Sequence, residues 1–210
     1  MAQAKICGIT DAAAMDAALA GGARFVGLVF FPNSPRRLNL DRAAALAAHA
    51  RGRAEIVAVT VNADDALLAQ IAAATAPDFV QAHGSESPAR VAALRPFAGK
   101  GVIKALGVAR SEDLAQAAAF EPVADMLLFD AKPPPGAPPG GNALAFDWRI
   151  LANQRFSRPW LLSGGLNSEN VGEAISASGA ALVDVSSGVE SGPGLKDPAK
   201  IAQFLAAARS

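Results

Sequence analysis

Two side chains that can transfer protons stand at the ends of apolar runs far apart in the chain. Cys7 lies near the N-terminus beside Gly8, and Asp130 ends the apolar run 123–129. A thiolate can accept a proton and a carboxylic acid can donate one. A lone cysteine is often just a small buried side chain, but a position at a strand end beside a glycine favours a reactive role for Cys7. A carboxylate after an apolar run must be solvated, paired or used, so Asp130 is either functional or a helix cap or loop ion pair.

Two glycine-containing loops within residues 159–190 point to an anion. They are Ser163-Gly164-Gly165 and Ser186-Ser187-Gly188, and each follows a short apolar run. Glycine lets backbone N–H groups approach an anion closely because no Cβ intervenes. In a (β/α)₈ barrel, the loops after strands seven and eight jointly hold a phosphate. The two loops therefore predict a phosphate site, with ordinary tight turns as the alternative, and they require six more βα units upstream.

The remaining chain supplies those units as alternating strands and helices. Strands are predicted at 4–9, 24–31, 55–61, 79–81, 101–106 and 123–129, and in runs that end at 163 and near 185. Helices are predicted from the Thr10-Asp11 cap to about 20, and at 40–51, 63–74, 88–97, 111–120, 146–152, 168–178 and 197–208. This alternation predicts a parallel sheet, and the count of eight favours closure over an open doubly wound sheet. No Gly-x-Gly-x-x-Gly follows the first strand, which weighs against a dinucleotide-binding fold. We predict one eight-stranded parallel (β/α)₈ TIM barrel domain over residues 1–210.

The proline-rich stretch 132–142 is the one irregular insertion. It would be a linker if the chain held two domains. The alternation of strands and helices resumes after it at the same spacing, which favours a loop at the C-terminal end of a strand.

Composition excludes several classes of function. The 210 residues carry 19 basic and 19 acidic side chains and no basic stripe, so we expect neither a nucleic-acid nor a membrane partner. No apolar run approaches the ~20 residues of a membrane span. A single cysteine excludes an internal disulfide and suits a reducing compartment. The start, Met-Ala-Gln-Ala-Lys, leads directly into a strand, and we expect a soluble cytoplasmic protein.

Alternation of side chains along strands predicts which groups meet at the barrel mouth. Lys5 and Cys7 share one face of strand one, Asp130 shares a face with Met126 and Leu128, and Asp184 shares a face with Leu182 and Ser186. If those faces point inward, Cys7 and Asp130 face each other across the opening. Strands eight and one are neighbours, so Lys5 and Asp184 are predicted to pair in the interior.

Other polar residues near strand ends offer binding roles. Arg36 and Arg37 follow strand two, where a guanidinium fork could hold a carboxylate beside Cys7; a solvated pair is the alternative. His83 ends strand four and could merely cap a turn. His49 lies within a predicted helix, and only two histidines are present, so a histidine-rich metal site is not expected.

Taken together and in order, these pieces resemble the phosphoribosylanthranilate isomerase family of tryptophan biosynthesis. The matching stretches cover nearly the whole chain: Lys5-Ile-Cys7-Gly8-Ile-Thr, Gly27-Leu-Val-Phe30, Ser34-Pro-Arg36, Gln81-Ala-His83-Gly84, Leu127-Leu-Phe-Asp130, Gly140-Gly141-Asn, Phe146-Asp147-Trp148, Gly164-Gly165-Leu-Asn, Asn170-Val, Asp184-Val-Ser-Ser187-Gly188-Val-Glu190, Pro193-Gly and Lys196-Asp.

The resemblance implies an Amadori rearrangement of N-(5-phosphoribosyl)anthranilate to 1-(2-carboxyphenylamino)-1-deoxyribulose 5-phosphate. It implies Asp130 as the general acid that opens the ribose ring and Cys7 as the base that removes the C2 proton. Both steps are proton transfers, so no metal or redox cofactor is expected, and the site should favour the thiolate.

The resemblance also implies a set of substrate-binding residues. Arg36 matches the contact to the anthranilate carboxylate, and the glycine loops match the phosphate grip. The predicted substrate-binding set is Arg36, His83, Asp184, Gly164, Gly165, Ser187 and Gly188. The expected partner is this small phosphosugar–anthranilate molecule, and the oligomeric state is left as monomer or homodimer.

The chain departs from the family pattern at two residues. Ala82 replaces a bulkier residue, which we expect to change packing only, and Ala143 stands where another glycine is expected. Together with the proline-rich segment, Ala143 leaves the conformation of loop 131–143 open.

Two other functions remain as alternatives. A metal-dependent pentose-phosphate epimerase would need histidine and acidic ligands on several strand ends. A non-catalytic phosphometabolite-binding barrel would need the glycine loops but neither Cys7 nor Asp130.

Overall fold

Eight parallel strands close into a barrel in the computed structural model, which describes residues 1–132 and 145–209. The strands are β1 Gln3–Cys7, β2 Phe25–Val29, β3 Glu55–Thr60, β4 Phe79–Ala82, β5 Gly101–Val108, β6 Met126–Ala131, β7 Trp160–Leu162 and β8 Leu182–Val185. They follow one another round the ring in chain order, and β1 pairs with both β2 and β8. The predicted closed parallel barrel is confirmed.

Alternate side chains of the strands point into the barrel. An inner cluster holds Cys7, Phe25, Leu128 and Leu182, whereas Ile6 packs in the separate outer cluster between strands and helices. The inward faces predicted for β1, β6 and β8 are therefore correct.

The register of β1 against β8 carries an ion pair into the barrel. Lys5 lies opposite Asp184, and its Nζ is 2.9 Å from Asp184 Oδ1. The predicted interior pair of Lys5 and Asp184 is thereby confirmed.

Helices form the outer layer: α1 Ala12–Ala20, α2 Leu40–Ala50, α3 Asp65–Thr75, α4 Pro88–Ala92, α5 Ala117–Phe120, α6 Val171–Ser178 and α7 Pro198–Ala207. Five of them begin after a short polar residue whose side chain accepts a bond from a first-turn N–H, as helix starts prefer. These capping residues are Asp11, Asn39, Asp64, Ser87 and Asp197. Within the described residues, no helix has both the length and the apolar character of a membrane span.

Several predicted helices are shorter than expected. α4 ends at Ala92 and a 3₁₀ turn, Arg95–Phe97, follows it, because Pro96 lacks the N–H that a continuing helix needs. The predicted helix 111–120 is a 3₁₀ turn, Ser111–Gln116, that leads into α5. The predicted short helix 146–152 is the 3₁₀ turn Trp148–Leu151, the only helical element in the described part of the sixth βα unit.

Strand boundaries also differ from the prediction. β6 begins at Met126 rather than 123, since the N–H groups of Val123 and Ala124 donate to the carbonyl of Phe120 and complete the turn after α5. β1 ends two residues early because Gly8 turns the backbone at a φ of 77°.

A short hairpin between β8 and α7 was not predicted. It consists of antiparallel β9 Glu190–Gly192 and β10 Leu195–Lys196, preceded by the 3₁₀ turn Ser187–Val189. Gly194 at its turn has a φ of 79°, and a Cβ there would lie 2.5 Å from the carbonyl oxygen of Pro35. The hairpin therefore packs against the loop after β2.

Candidate active site

A cavity opens at the C-terminal ends of the strands, the end at which such barrels carry their active sites. Five of the predicted site residues line it: Cys7, Arg36, His83, Asp130 and Asp184. They come from units one, two, four, six and eight, so closure of the barrel brings together residues that are far apart in sequence.

Cys7 is the last residue of β1 and is buried. It lies in register with Gly27 of β2, and a Cβ at Gly27 would come within 3.0 Å of Cys7 Sγ and 3.3 Å of Lys5 Cε. Gly27 thus leaves the space that the thiol and the lysine side chain share. Gly8, the next residue, packs against the aliphatic part of Arg36, where a Cβ would lie 2.5 Å from Cδ.

Burial and nearby charges act on the thiol in opposite directions. Burial raises the pKa of Cys7, the Lys5 ammonium lowers it, and the Asp184 carboxylate raises it again. The net direction is upward, so the expectation that the site favours the thiolate is not met by this balance. Burial lowers the pKa of Lys5, but Asp184 and Cys7 raise it by more, so the lysine stays charged inside the barrel.

Asp130 meets His83 on the opposite side of the cavity. Asp130 Oδ1 accepts from the N–H of Ala131 at 2.9 Å, and Oδ2 lies 3.3 Å from His83 Nε2. The other ring nitrogen, Nδ1, is 2.8 Å from Gln81 Nε2. The structure thus brings Asp130 together with His83, and a contact of Asp130 with a loop residue was the alternative to a catalytic role.

Arg36 is held by the hairpin. Its Nε and Nη2 donate to the two carboxylate oxygens of Glu190 at 2.7 and 2.9 Å, whereas Arg37 is exposed. Glu190 also accepts from Lys196 Nζ at 2.6 Å and from the N–H of Gly194 at 3.2 Å. Burial acts to raise the pKa of Glu190, but the bonds from Arg36 and Lys196 lower it below its usual range.

The glycine loops lie against each other beside the cavity. Gly164 and Gly165 have φ values of 92° and 66°, and a Cβ at Gly188 would lie 1.9 Å from the carbonyl oxygen of Leu166. A Cβ at Gly164 would lie 2.7 Å from the backbone N of Ala131, so the first loop also touches the end of β6. The glycines and Ser187 are not among the residues that line the cavity.

Ser163 and Ser186, which immediately precede the glycines, do line the cavity. The loops and the cavity are therefore adjacent. Ser163 Oγ also lies 3.3 Å from Asp184 Oδ2, which links the first loop to the interior ion pair.

Three residues near the site received no role from the sequence. Glu190 and Lys196 appear only within the matched stretches, although Lys196 Nζ donates to Ser186 O at 2.9 Å and lowers the pKa of Cys7. Gln81 could have been found by parity, since it shares the inward face of Phe79 on β4. No comparable signal marks Glu190 or Lys196, because their roles depend on a hairpin that the sequence did not predict.

Two site predictions concern metals and the proline-rich loop. Among the residues that the structure describes, no group of three or more histidine, cysteine or acidic side chains could hold a metal ion. Residues 133–144, which include Ala143 and the Gly140-Gly141-Asn stretch, lie outside the described residues.

Comparisons with known proteins agree on one family. Residues 4–207 match the family model of N-(5′-phosphoribosyl)anthranilate isomerase. A relative of that name from Caulobacter sp. (strain K31) is 53% identical over 211 residues, which cover 100% of this chain and 99% of the relative.

Solved structures give the same result. One, described as monomers generated from the dimeric isomerase of Thermotoga maritima, is 33% identical with a TM-score of 0.85 and covers 100% of this chain and 99% of its own. Another is a phosphoribosylanthranilate isomerase in complex with reduced 1-(o-carboxyphenylamino)-1-deoxyribulose 5-phosphate. It is 33% identical with a TM-score of 0.86 and the same coverage.

Proposed function

Because the chain belongs to the N-(5′-phosphoribosyl)anthranilate isomerase family, and is thus an isomerase of tryptophan biosynthesis, we propose that Asp130 and Cys7 carry out its Amadori rearrangement. The observation that carries the proposal is that the two side chains line one cavity from opposite parts of the ring, on β6 and β1. Asp130 can donate a proton and Cys7 can accept one.

Asp130 acts first, as the general acid. It gives a proton to the ribose ring oxygen, the bond between that oxygen and C1 breaks, and the anthranilate nitrogen forms a Schiff base with C1. The Nε2 of His83, 3.3 Å from Asp130 Oδ2, is in reach of the carboxylate that this step leaves behind. A donor at that point stabilises the charge as it develops.

Cys7 acts second, as the base. Its thiolate removes the C2 proton, and the electron pair moves through C1 to the nitrogen to give the enolamine. Loss of the proton on O2 and gain of one at C1 then give the ketone. The buried Lys5 ammonium beside Cys7 supports this role because a cation favours the thiolate over the thiol.

The substrate is held at its anthranilate carboxylate, at its phosphate and at the sugar between them. Glu190 engages Nε and Nη2 of Arg36, and we assign the Nη1 edge to the anthranilate carboxylate. The phosphate binds the backbone donors of Gly164, Gly165, Ser187 and Gly188.

Asp184 and His83 contact the sugar between the two ends of the substrate. This assignment is supported by their position in the cavity lining beside Cys7 and Asp130.

The wider assignment covers the whole chain. We propose that residues 1–210 form one barrel domain that works in the cytoplasm without a nucleic-acid, membrane, metal or redox partner. Pairing of β1 with β8 supports one domain, and a formal net charge of zero is consistent with a small-molecule partner. The protein is a monomer or a homodimer. The relative from Thermotoga maritima is described as dimeric, and light scattering distinguishes the two forms for this chain.

Turnover of enzymatically generated phosphoribosylanthranilate, followed by loss of anthranilate-type fluorescence, tests the roles. Cys7→Ser and Asp130→Asn should each lower kcat by about 10²–10⁴-fold with substrate affinity largely kept. With substrate deuterated at C2, the isotope effect should grow in Cys7→Ser but less in Asp130→Asn, where ring opening limits the rate. Near-wild-type kcat in either variant would remove the assignment even if the wild-type protein turns over the substrate.

A further inference from the structure

Gln81 is a polar side chain inside the barrel that the steps above do not use. It is fully buried on β4, two residues after Phe79 of the inner cluster. Within the described residues, its Oε1 has no hydrogen-bond partner. A buried carbonyl oxygen without a donor destabilises a fold, and an apolar side chain of similar size would avoid that penalty. The penalty indicates that the Gln81 amide has a role other than packing.

The other end of the amide contacts a ring nitrogen of His83. Gln81 Nε2 is 2.8 Å from His83 Nδ1, and His83 Nε2 is 3.3 Å from Asp130 Oδ2. With the amide in this orientation, its NH₂ group donates to Nδ1, and the neutral ring then carries its proton on Nε2. That N–H faces the carboxylate.

The other contacts of His83 do not fix this choice. Its backbone N–H donates to Thr60 O at 2.9 Å, which holds the main chain but leaves the ring proton undetermined. Asp130 Oδ1 already accepts from Ala131, so Oδ2 is the oxygen that faces the ring. Without the amide, the proton could reside on Nδ1, and an acceptor nitrogen would then face Asp130.

We propose that Gln81 is a positioning residue whose amide keeps His83 in the tautomer with Nε2–H against Asp130. A donor is then in place when Asp130 gives up its proton, which stabilises the state after transfer more than the state before it. The benefit to catalysis rests on the proposed function of Asp130. The tautomer itself is a property of the protein alone and can be measured without substrate.

NMR of protein labelled with ¹⁵N-histidine reads the tautomer directly. The chain has only two histidines, and exposed His49, which contacts Asp16 on the outer layer, serves as the internal reference. At mildly alkaline pH, two-bond ¹H–¹⁵N correlations of the wild type should show His83 protonated on Nε2 and bare on Nδ1. Gln81→Glu sets an acceptor against Nδ1 and should move the proton to that nitrogen. Gln81→Leu should give a mixture of tautomers.

The same variants should lower kcat by about 10–100-fold, the loss found when the residue that orients a metal-bound histidine is removed, with KM little changed. Thr60→Val is the matched control. It removes a buried hydroxyl that donates to the backbone carbonyl of Gln81 at 3.4 Å and does not touch the side-chain amide, so both the tautomer and kcat should be kept.

A wild-type proton on Nδ1, or an unchanged His83 spectrum in Gln81→Glu, overturns the inference whether or not Gln81→Leu folds. If the spectra are as expected but the wild type does not turn over phosphoribosylanthranilate, the proposed function fails and the positioning of His83 stands.

Discussion

Burial and neighbouring charges shift the pKa of Cys7 in opposite directions, and the Lys5 ammonium is the largest of the effects that lower it. Burial and Asp184 raise the pKa of the thiol, whereas Lys5 and, more weakly, Lys196 lower it. Because Lys5 is unexposed and kept charged by Asp184, any thiolate at Cys7 forms beside a fixed cation. The Lys5–Asp184 ion pair thus also affects the ionisation of Cys7.

Lys5→Met should make Cys7 harder to ionise. Removal of the Lys5 ammonium leaves only the weaker effect of Lys196 to oppose burial and Asp184, so the pKa of Cys7 rises further and the thiolate fraction at pH 8 falls. Alkylation by iodoacetamide should slow at least roughly tenfold, the change that one pKa unit brings. Cys7 is the only cysteine, so the label reports on it alone.

Two further variants test whether the charge of Lys5 is the cause of the slower alkylation. Lys5→Met/Asp184→Asn removes both charges and should react at a rate between the wild type and Lys5→Met. Lys104→Met removes another buried lysine, paired with Glu86 at 2.8 Å, and should keep the alkylation rate of the wild type. Equal rates in the wild type and Lys5→Met would show that the lysine does not act on the thiol.

At the scale of elements, the two glycine loops depend on close contact with each other. A Cβ at Gly188 meets the carbonyl of Leu166, so Gly188→Ala must push the loops apart. We expect a strongly raised KM and loss of competition by inorganic phosphate, because the proposed phosphate site needs the backbone N–H groups of both loops together. Gly172→Ala, on α6 with open space at its Cβ, is the control and should leave both unchanged. Normal KM in Gly188→Ala would rule out the phosphate assignment.

The hairpin β9–β10 holds Arg36 through one carboxylate. Glu190→Gln leaves Arg36 and Lys196 without that charge, and loss of one partner of a buried pair costs about 3–5 kcal/mol. The pKa of Glu190 is lowered in the fold, so this stability is complete above the ordinary carboxyl pKa of about 4.3 and is lost as pH falls through the lower folded value. The Tm of the wild type should therefore exceed that of Glu190→Gln at pH 7 and converge with it in acid.

The comparison needs an exposed carboxylate as its reference. Glu112→Gln, on the surface, should follow the wild-type Tm at every pH. A Tm difference for Glu190→Gln that stays constant down to pH 2 would mean that its carboxylate does not supply the stabilisation.

Local pattern predicted the barrel and part of the site, and long-range contact decided the rest. Parity along single strands was enough to aim Cys7 and Asp130 inward and to pair Lys5 with Asp184. Glu190 could not be assigned a role, because its partner Arg36 is 154 residues away and reaches it only through an unpredicted hairpin. The net electrostatic effect on Cys7 was also missed, since it depends on how deeply the thiol is buried.

At the scale of the whole molecule, one end of the barrel carries the candidate site and the other end carries bonds that stabilise the fold. The C-terminal end carries the cavity, whereas the N-terminal end is held by aspartates that precede strands. Asp78 accepts from the N–H of Ile56 and Asp125 from that of Val102, both at 2.8 Å. Each ties the start of one strand to the start of its neighbour.

Asp125→Ala should therefore lower stability without a change in kcat. The N–H of Val102 loses its acceptor at a partly buried position, which costs about 1–3 kcal/mol. Urea unfolding measures the loss and the fluorescence assay measures kcat. Asp65→Ala removes an exposed partner of Arg90 and should cost no more than about 1 kcal/mol. A large fall in kcat for Asp125→Ala would contradict the division between the two ends.

The Lys5–Asp184 pair also links activity to translation. The two residues are 179 positions apart, so β1 leaves the ribosome long before its partner strand β8 exists. Until then the growing sheet has open edges at β1 and β7, which invite pairing with other chains. A chain that stops before Asp184 lacks the carboxylate that keeps Lys5 charged, and it lacks the second glycine loop as well. Aborted translation products of this protein should therefore have no residual activity and should be prone to aggregate.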